Sequence, residues 1–180
     1  MKRVVVIGPP GSGTTTFADR LGDRLDAAVV DLDALSGPAS QPTSTPELRS
    51  SVIDAISPLP RWIVVGNHVQ VADITHRAAD TIVWLDLDRR HTVARVARRS
   101  LGHLLRRGPF GNAPRERWRD VVHPRRSVVV AAWQTHPRHR AKFEELSATP
   151  LWRDTEVHRL RHPGEVESFL DSVADTASSR

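Results

Sequence analysis

The sequence predicts an α/β fold, a five-stranded parallel sheet covered by helices on both faces. Three observations predict it. Short, nearly continuous apolar runs at Val4 to Ile7, Trp62 to Val65 and Thr81 to Leu85 lack polar alternation, the pattern of strands buried on both sides. Helical patterns with one apolar side fall between such runs, so the strands need crossover connections. A glycine-rich turn joins the first run to the first helical pattern.

Taken in order, Val4 to Ile7 is the first strand, and a helix from about Thr14 to Leu25 shows Phe17, Leu21 and Leu25 on one side. Ala27 to Val30 is a short second strand ending in Asp31-Leu32-Asp33. The Ser-, Thr- and Pro-rich stretch from Ser36 to Pro46 is a loop, closed by Thr45 as helix cap and Pro46 at the first helical position. A helix through Leu48, Val52, Ile53 and Ile56 follows, and Pro58 and Pro60 stop it. Trp62 to Val65 is the third strand and Thr81 to Leu85 the fourth, ending in Asp86-Leu87-Asp88. The next helix, roughly His91 to Arg106, places Val93, Val96, Ala97, Leu101, Leu104 and Leu105 opposite Arg95, Arg98, Arg99 and Arg106. Residues 107–117 form a basic loop by composition, and 126–146 read mostly as helix despite the β-branched Val128-Val129-Val130. Thr155 to Leu160 is the fifth strand. The last amphipathic helix starts at Pro163, with Thr176 to Arg180 expected to fray.

At 180 residues the chain fits one domain, large enough to bury roughly 70% of the surface its unfolded form exposes. There is no cysteine, hence no disulfide framework and no thiol chemistry, which suits the cytoplasm. No apolar run approaches the ~20 residues of a membrane span. The net charge of +5 is carried almost wholly by arginine, because Lys2 and Lys142 are the only lysines. Arginines crowd between Arg89 and Arg140, an electropositive stretch suited to the phosphates of a nucleotide or of nucleic acid, or simply to solvent.

The turn Gly8-Pro9-Pro10-Gly11-Ser12-Gly13-Thr14-Thr15-Thr16 carries the chemistry. Its strand–turn–helix context is that of a phosphate-binding loop, in which Gly8, Gly11 and Gly13 let the backbone curl and inward N–H groups meet the helix N-terminus. The spacing G-x-x-x-x-G is kept. Thr14 stands where G-x-x-x-x-G-K-[ST] has lysine, and Thr15 fills the place that holds magnesium. With no His/Asp partner at a diagnostic spacing, the hydroxyls of Ser12, Thr14, Thr15 and Thr16 read as phosphate donors. His136 and His139 lack a third ligand and are interrupted by Pro137, so they do not read as a metal site. The five tryptophans read as packing.

These residues resemble the P-loop kinases of nucleoside monophosphates and small molecules, closest to the adenylate-kinase-like proteins often labelled DNA topology modulation proteins. The resemblance is carried by Arg3 to Gly13, Leu32-Asp33-Ala34-Leu35, Trp62 to Asn67, Val83 to Asp86, the arginine-rich helix and following segment, and Arg159 to Val166. It implies a P-loop NTPase fold with sheet order 2-3-1-4-5, an arginine-rich lid at about 106–125, and ATP and magnesium as cofactors. It implies that ATP phosphates sit on residues 8 to 15, Pro10 included. Asp33 would face the phosphoryl acceptor, a nucleotide or small molecule, and accept or orient its hydroxyl proton. Arg95, Arg99, Arg138 and Arg140 would close over the phosphates, and Arg161 to Pro163 would border the purine.

Two departures bear on activity. A lysine at 14 would bring a cation onto the transferred phosphate, worth about 4 kcal/mol at 4 Å and an effective dielectric near 20. Thr14 brings only a hydroxyl, as in the similar loops of archaeal-type cytidylate kinases. Related kinases also read Trp-x-x-Asp-Gly-Asn-Tyr at strand three, where this chain has Val65 in place of the carboxylate that helps hold magnesium, leaving Asp31, Asp33 or Asp86 as substitutes. The expected activity is phosphoryl transfer from ATP, with a nucleotide-binding module of the same fold, or a nucleic-acid-binding protein, as the alternatives.

Overall fold

Five strands, β1 (Arg3–Ile7), β2 (Ala28–Asp31), β3 (Trp62–Val65), β4 (Thr81–Leu85) and β5 (Glu156–Leu160), form one sheet in the order β2-β3-β1-β4-β5, as the sequence predicts. All four neighbouring pairs are parallel. This is seen in a computed structural model that describes residues 1–37, 43–105 and 128–178. The helices are α1 (Thr14–Leu25), α2 (Leu32–Leu35), α3 (Thr45–Ile56), α4 (Ala72–Ala78), α5 (Arg89–Leu105), α6 (Val128–Ser147) and α7 (Pro163–Ser178). The segment read as a lid, and the loop residues 38–42, lie outside the described residues.

Side-chain alternation along the central strands divides the core in two. Val5, Ile7, Val64, Ile82 and Trp84 pack against Leu48, Val52 and Ile56 of α3 and Phe143 of α6. Val4, Val6, Val65, Val83 and Leu85 pack against Phe17, Ala18 and Leu21 of α1 and Leu170 and Val173 of α7. Each fully buried side chain of this size contributes about 1.5–3 kcal/mol relative to exposure, so the continuous apolar runs are what drive the sheet into the centre. Their consequence is positional. The C-terminal ends of β1, β2, β3 and β4 converge at one rim, with the glycine-rich loop at its middle.

Several expectations are corrected in detail. The cap of α3 is Ser44 and not Thr45, with the Ser44 N–H donating to Glu47 Oε2 at 3.1 Å, so Pro46 falls at the second helical position. A 3₁₀ turn (Val69–Val71) and α4 fill the stretch before β4 that showed no pattern; seven residues are too few for a 3.6-residue period to register. α7 stays helical to Ser178, past the predicted fraying at Thr176. Pro137 does lie inside α6. It has no N–H to give the carbonyl of Trp133, and Arg89 replaces that donor, its Nε bonding Trp133 O at 2.8 Å while its guanidinium stacks 3.7 Å over the indole ring.

Trp152 and His76 make a buried polar link, indole Nε1 donating to His76 Nδ1 at 2.9 Å. Burial pushes the His76 pKa down to about 4. The folded protein thus binds this proton less readily than the unfolded chain, whose histidine titrates near 6.5. The stability it contributes is fully present above pH 6.5 and is lost as pH falls toward 4. Between pH 7 and pH 5 the loss from this site is expected to be about 2 kcal/mol. Urea midpoints measured at both pH values test it, and His76→Asn should flatten the difference.

Candidate functional site

The loop between β1 and α1 is held in an open curl by its glycines. Gly11 and Gly13 have φ of +87° and +89°, where side chains are strained. A Cβ on Gly8 would stand 2.5 Å from Ser12 Oγ and 3.0 Å from the Leu85 carbonyl, so the loop closes tightly on β4. One on Gly11 would stand 2.5 Å from Val96 Cγ2 and 2.8 Å from Thr92 O, so α5 packs straight onto the loop. Ser12 N donates to Pro9 O at 3.0 Å, and Ser12 Oγ is buried with no hydrogen-bond partner among the described residues. A curl of backbone at the start of a helix, with a buried hydroxyl unsatisfied, fits an anionic phosphate group.

The charged groups around this loop differ in availability. A Cβ on Gly13 would lie 2.6 Å from Arg95 Nη2 and 2.9 Å from its Cζ, which puts the Arg95 guanidinium against the loop, next to Thr14. The helical period had placed Arg95 on the polar side of α5; that side faces the loop as well as solvent. Arg20 lines the same cleft, but it is tied to Glu167 through Nη1 to Oε1 at 2.6 Å and Nη2 to Oε2 at 2.5 Å. Arg95 has no carboxylate partner among the described residues. Pro163, at the start of α7, lines this cleft with Ser12, Gly13 and Thr16, whereas Arg161 is exposed and its N–H donates to Glu165 Oε2 at 2.7 Å.

The other predicted arginines have different surroundings. Arg140 pairs with Asp86 Oδ2 at 3.2 Å and with Glu144 at 3.5 Å, so its guanidinium is already engaged by two carboxylates. Arg159 joins the same cluster at 2.7 Å from Asp86 and 2.9 Å from Glu144, stacked 3.9 Å over Trp84. The two guanidiniums hold the Glu144 carboxyl below its ordinary range, the hydrogen bond from Arg159 acting most strongly. Arg138 is exposed on α6, and Arg99 belongs to α5, its side chain outside the described residues.

On the acceptor side, Asp33 is not the helix cap. Asp31 is, its Oδ1 accepting from Asp33 N at 2.9 Å, and this frees the Asp33 carboxylate. That side chain is 79% exposed and lies 2.8 Å from His68 Nε2. Two residues of the turn after β3 thus acquire roles that sequence reasoning did not assign. Asn67 Nδ2 donates to Gly8 O at 2.7 Å and so clamps the start of the loop, while His68 reaches Asp33. A polar pair directly after a buried strand beside the glycine loop was the available signal.

The three carboxylates considered for the place of Val65 also separate. Asp86 is 1% exposed, held by Arg140 and Arg159, and unavailable to a cation. Asp31 is the register partner of Val65, which pairs in turn with Val6, so these three share one sheet face. Val65 itself is buried in the apolar core. Among the described residues no group of three or more His, Cys, Asp or Glu is placed to hold a metal. Thr15, exposed at the start of α1, fits a magnesium ion carried in on phosphate oxygens and water, and not one held by protein ligands alone. His136 is structural, Nε2 contacting Leu87 O at 3.0 Å.

No protein-family model matches the chain. It is 29% identical over 153 residues to a shikimate kinase of Corynebacterium diphtheriae, covering 77% of this chain and 86% of that protein. Among solved structures, the Acinetobacter baumannii shikimate kinase in complex with shikimate superposes with a TM-score of 0.56 at 13% identity, covering 99% of this chain and 94% of the other. A sugar kinase from Janibacter gives 0.53 at 18% identity, covering 99% and 93%. The chain has the P-loop kinase fold. No helix among the described residues is long and apolar enough to cross a membrane.

Proposed function

We propose that this chain is a phosphotransferase that moves the γ-phosphoryl group of ATP to a hydroxyl of a small-molecule or nucleotide acceptor. The observation that carries this reading is the Arg95 guanidinium lying against Gly13, with no carboxylate partner among the described residues, beside the threonine that replaces the usual lysine. The missing cation is supplied from α5. Thr14 then leaves the loop without its own charge but not the site. The lysine-less loop together with the Gly66-Asn67 turn also supports a place near the adenylate-kinase-like proteins, and the lack of cysteine supports a cytoplasmic setting.

Each residue has a task that follows from its chemistry. The backbone N–H groups of Gly11 and Gly13, Pro9 and Pro10 having none, and the hydroxyls of Ser12, Thr14, Thr15 and Thr16 hold phosphate oxygens. Arg95 stabilises the charge that spreads over the transferred group, the largest protein contribution in reactions of this class. Asp33 takes or orients the proton of the acceptor hydroxyl at its carboxylate oxygen. Pro163 and the cleft between α1, α5 and α7 suit the base. ATP supplies the phosphoryl group when bound, and magnesium neutralises its phosphates with Thr15 as the protein's hydroxyl ligand.

The test is ATP consumption by the full chain, with magnesium, across a panel of sugars, hydroxylated carboxylic acids, nucleosides and nucleotides. Acceptor-dependent product is the expected result. A second reading is favoured by one observation, the burial of Val65 in the apolar core where a carboxylate is expected. It is a nucleotide-binding module without turnover. Saturable nucleotide heats that barely depend on magnesium, with no acceptor consumed, would replace the first reading by the second.

A further inference from the structure

The turn Gly66-Asn67-His68 touches both halves of the proposed site. On one side Asn67 bonds the Gly8 carbonyl at 2.7 Å and lies 3.4 Å from the Gly8 N–H. On the other, His68 Nε2 stands 2.8 Å from Asp33 Oδ1, thirty-five positions away in the chain. Gly66 makes the double contact possible. Its φ is +129°, and a Cβ there would stand 2.9 Å from the Cβ of Leu32, the residue before Asp33, so the turn sits directly on α2. The adjacency of β2 and β3 then brings Asp33 and His68 together.

We propose that His68 is the positioning residue for Asp33, and that the turn carrying it sets the distance between the acceptor-activating carboxylate and the phosphate loop. This rests on the phosphotransferase reading above. An ionised carboxylate only accepts hydrogen bonds, so His68 Nε2 is the donor in this contact. Asp33 is 79% exposed and, unassisted, would sample several rotamers; His68, at 21%, is the better anchored partner. With Oδ1 held, Oδ2 is the oxygen left to meet an acceptor hydroxyl. Because Asn67 and His68 are consecutive, the place of this oxygen is tied to the place of Gly8. Phosphoryl transfer depends on such relative placement, and misplacement by about 1 Å can cost on the order of 100-fold in rate.

Two variants separate positioning from packing. His68→Gln can present an N–H near the position of Nε2, whereas His68→Phe fills the space with no donor. His68→Phe is expected to lower kcat for transfer by about 10- to 100-fold with nucleotide Kd unchanged within about twofold, and His68→Gln to recover most of the loss. Equal loss in both variants overturns the proposal. A readout without turnover is the ¹⁵N spectrum of the imidazole, assigned by its disappearance in His68→Gln. The Nε2–H tautomer should dominate in the wild type and give way to a tautomer mixture, with shifted ¹⁵N resonances, in Asp33→Ala. A spectrum indifferent to Asp33→Ala overturns the link. A wild-type protein that phosphorylates nothing in the panel instead overturns the phosphotransferase reading, and the two failures are distinguishable.

Discussion

Asp33→Asn is expected to reduce phosphoryl transfer by about 10²- to 10⁴-fold while leaving nucleotide affinity within about twofold. The substitution preserves size and still offers His68 an acceptor oxygen, so the contact at 2.8 Å between Oδ1 and Nε2 has a counterpart in the variant. What it removes is the ability to take a proton. The fold should not suffer, because the cap of α2 is Asp31, whose Oδ1 receives the Asp33 N–H and is untouched by the change. Asp31→Asn is the informative contrast, since it alters the cap and the carboxylate that shares a sheet face with Val65 while leaving Asp33 charged. A coupled assay of ADP formation, nucleotide calorimetry and the thermal midpoint, measured together, check the claim. Full transfer by Asp33→Asn would assign proton acceptance elsewhere.

The sheet was legible because its central strands need no amphipathic reading. Val4 to Ile7, Trp62 to Val65 and Thr81 to Leu85 are buried along their whole lengths, and an uninterrupted apolar run bounded by glycine, proline or aspartate has few other solutions. The strand order came with the family resemblance. Composition carries no such information, since the register of β3 between β1 and β2 depends on crossovers that no local pattern encodes. Short elements were missed for a related reason: α2 spans four residues and α4 seven, about one and two turns, too little for periodicity to emerge.

The site was half legible. A glycine spacing is a backbone property and is readable at once, as the positive φ angles of Gly11 and Gly13 bear out. Side-chain partnerships across elements are not readable in that way. Arg140 and Arg95 looked equivalent in the sequence, both arginines on helices after β4. They differ because Asp86 follows β4 in the chain and its buried carboxylate recruits Arg140 and Arg159, whereas no carboxylate pairs with Arg95 among the described residues, the Glu167 of its cleft being taken by Arg20. His68 was hidden because its partner lies on a neighbouring strand end, and only the assembled sheet shows that the two meet.

Arg95→Ala should cost the most of any single change at the loop, roughly 10³-fold in transfer rate, the scale on which an arginine delivered to a transferring phosphoryl group acts. The size of the loss depends on the charge left when the side chain is gone. Thr14 contributes a hydroxyl, Arg20 is committed bidentately to Glu167, and Arg140 and Arg159 are neutralised by Asp86 and Glu144. Arg98→Ala, on an exposed position of the same helix, is the control for a general loss of positive charge and should change little. The sharper test adds back a cation from the other side. Thr14→Lys in the Arg95→Ala background places an ammonium at the position the loop motif normally supplies, and transfer should recover by at least about tenfold if the two groups serve the same phosphate. In the wild-type background the same Thr14→Lys should gain far less, since the second cation meets a charge already compensated and repels Arg95 at Gly13. Recovery in both backgrounds by equal factors would mean that Arg95 and residue 14 act independently. The cation that compensates for Thr14 would then have to come from another arginine.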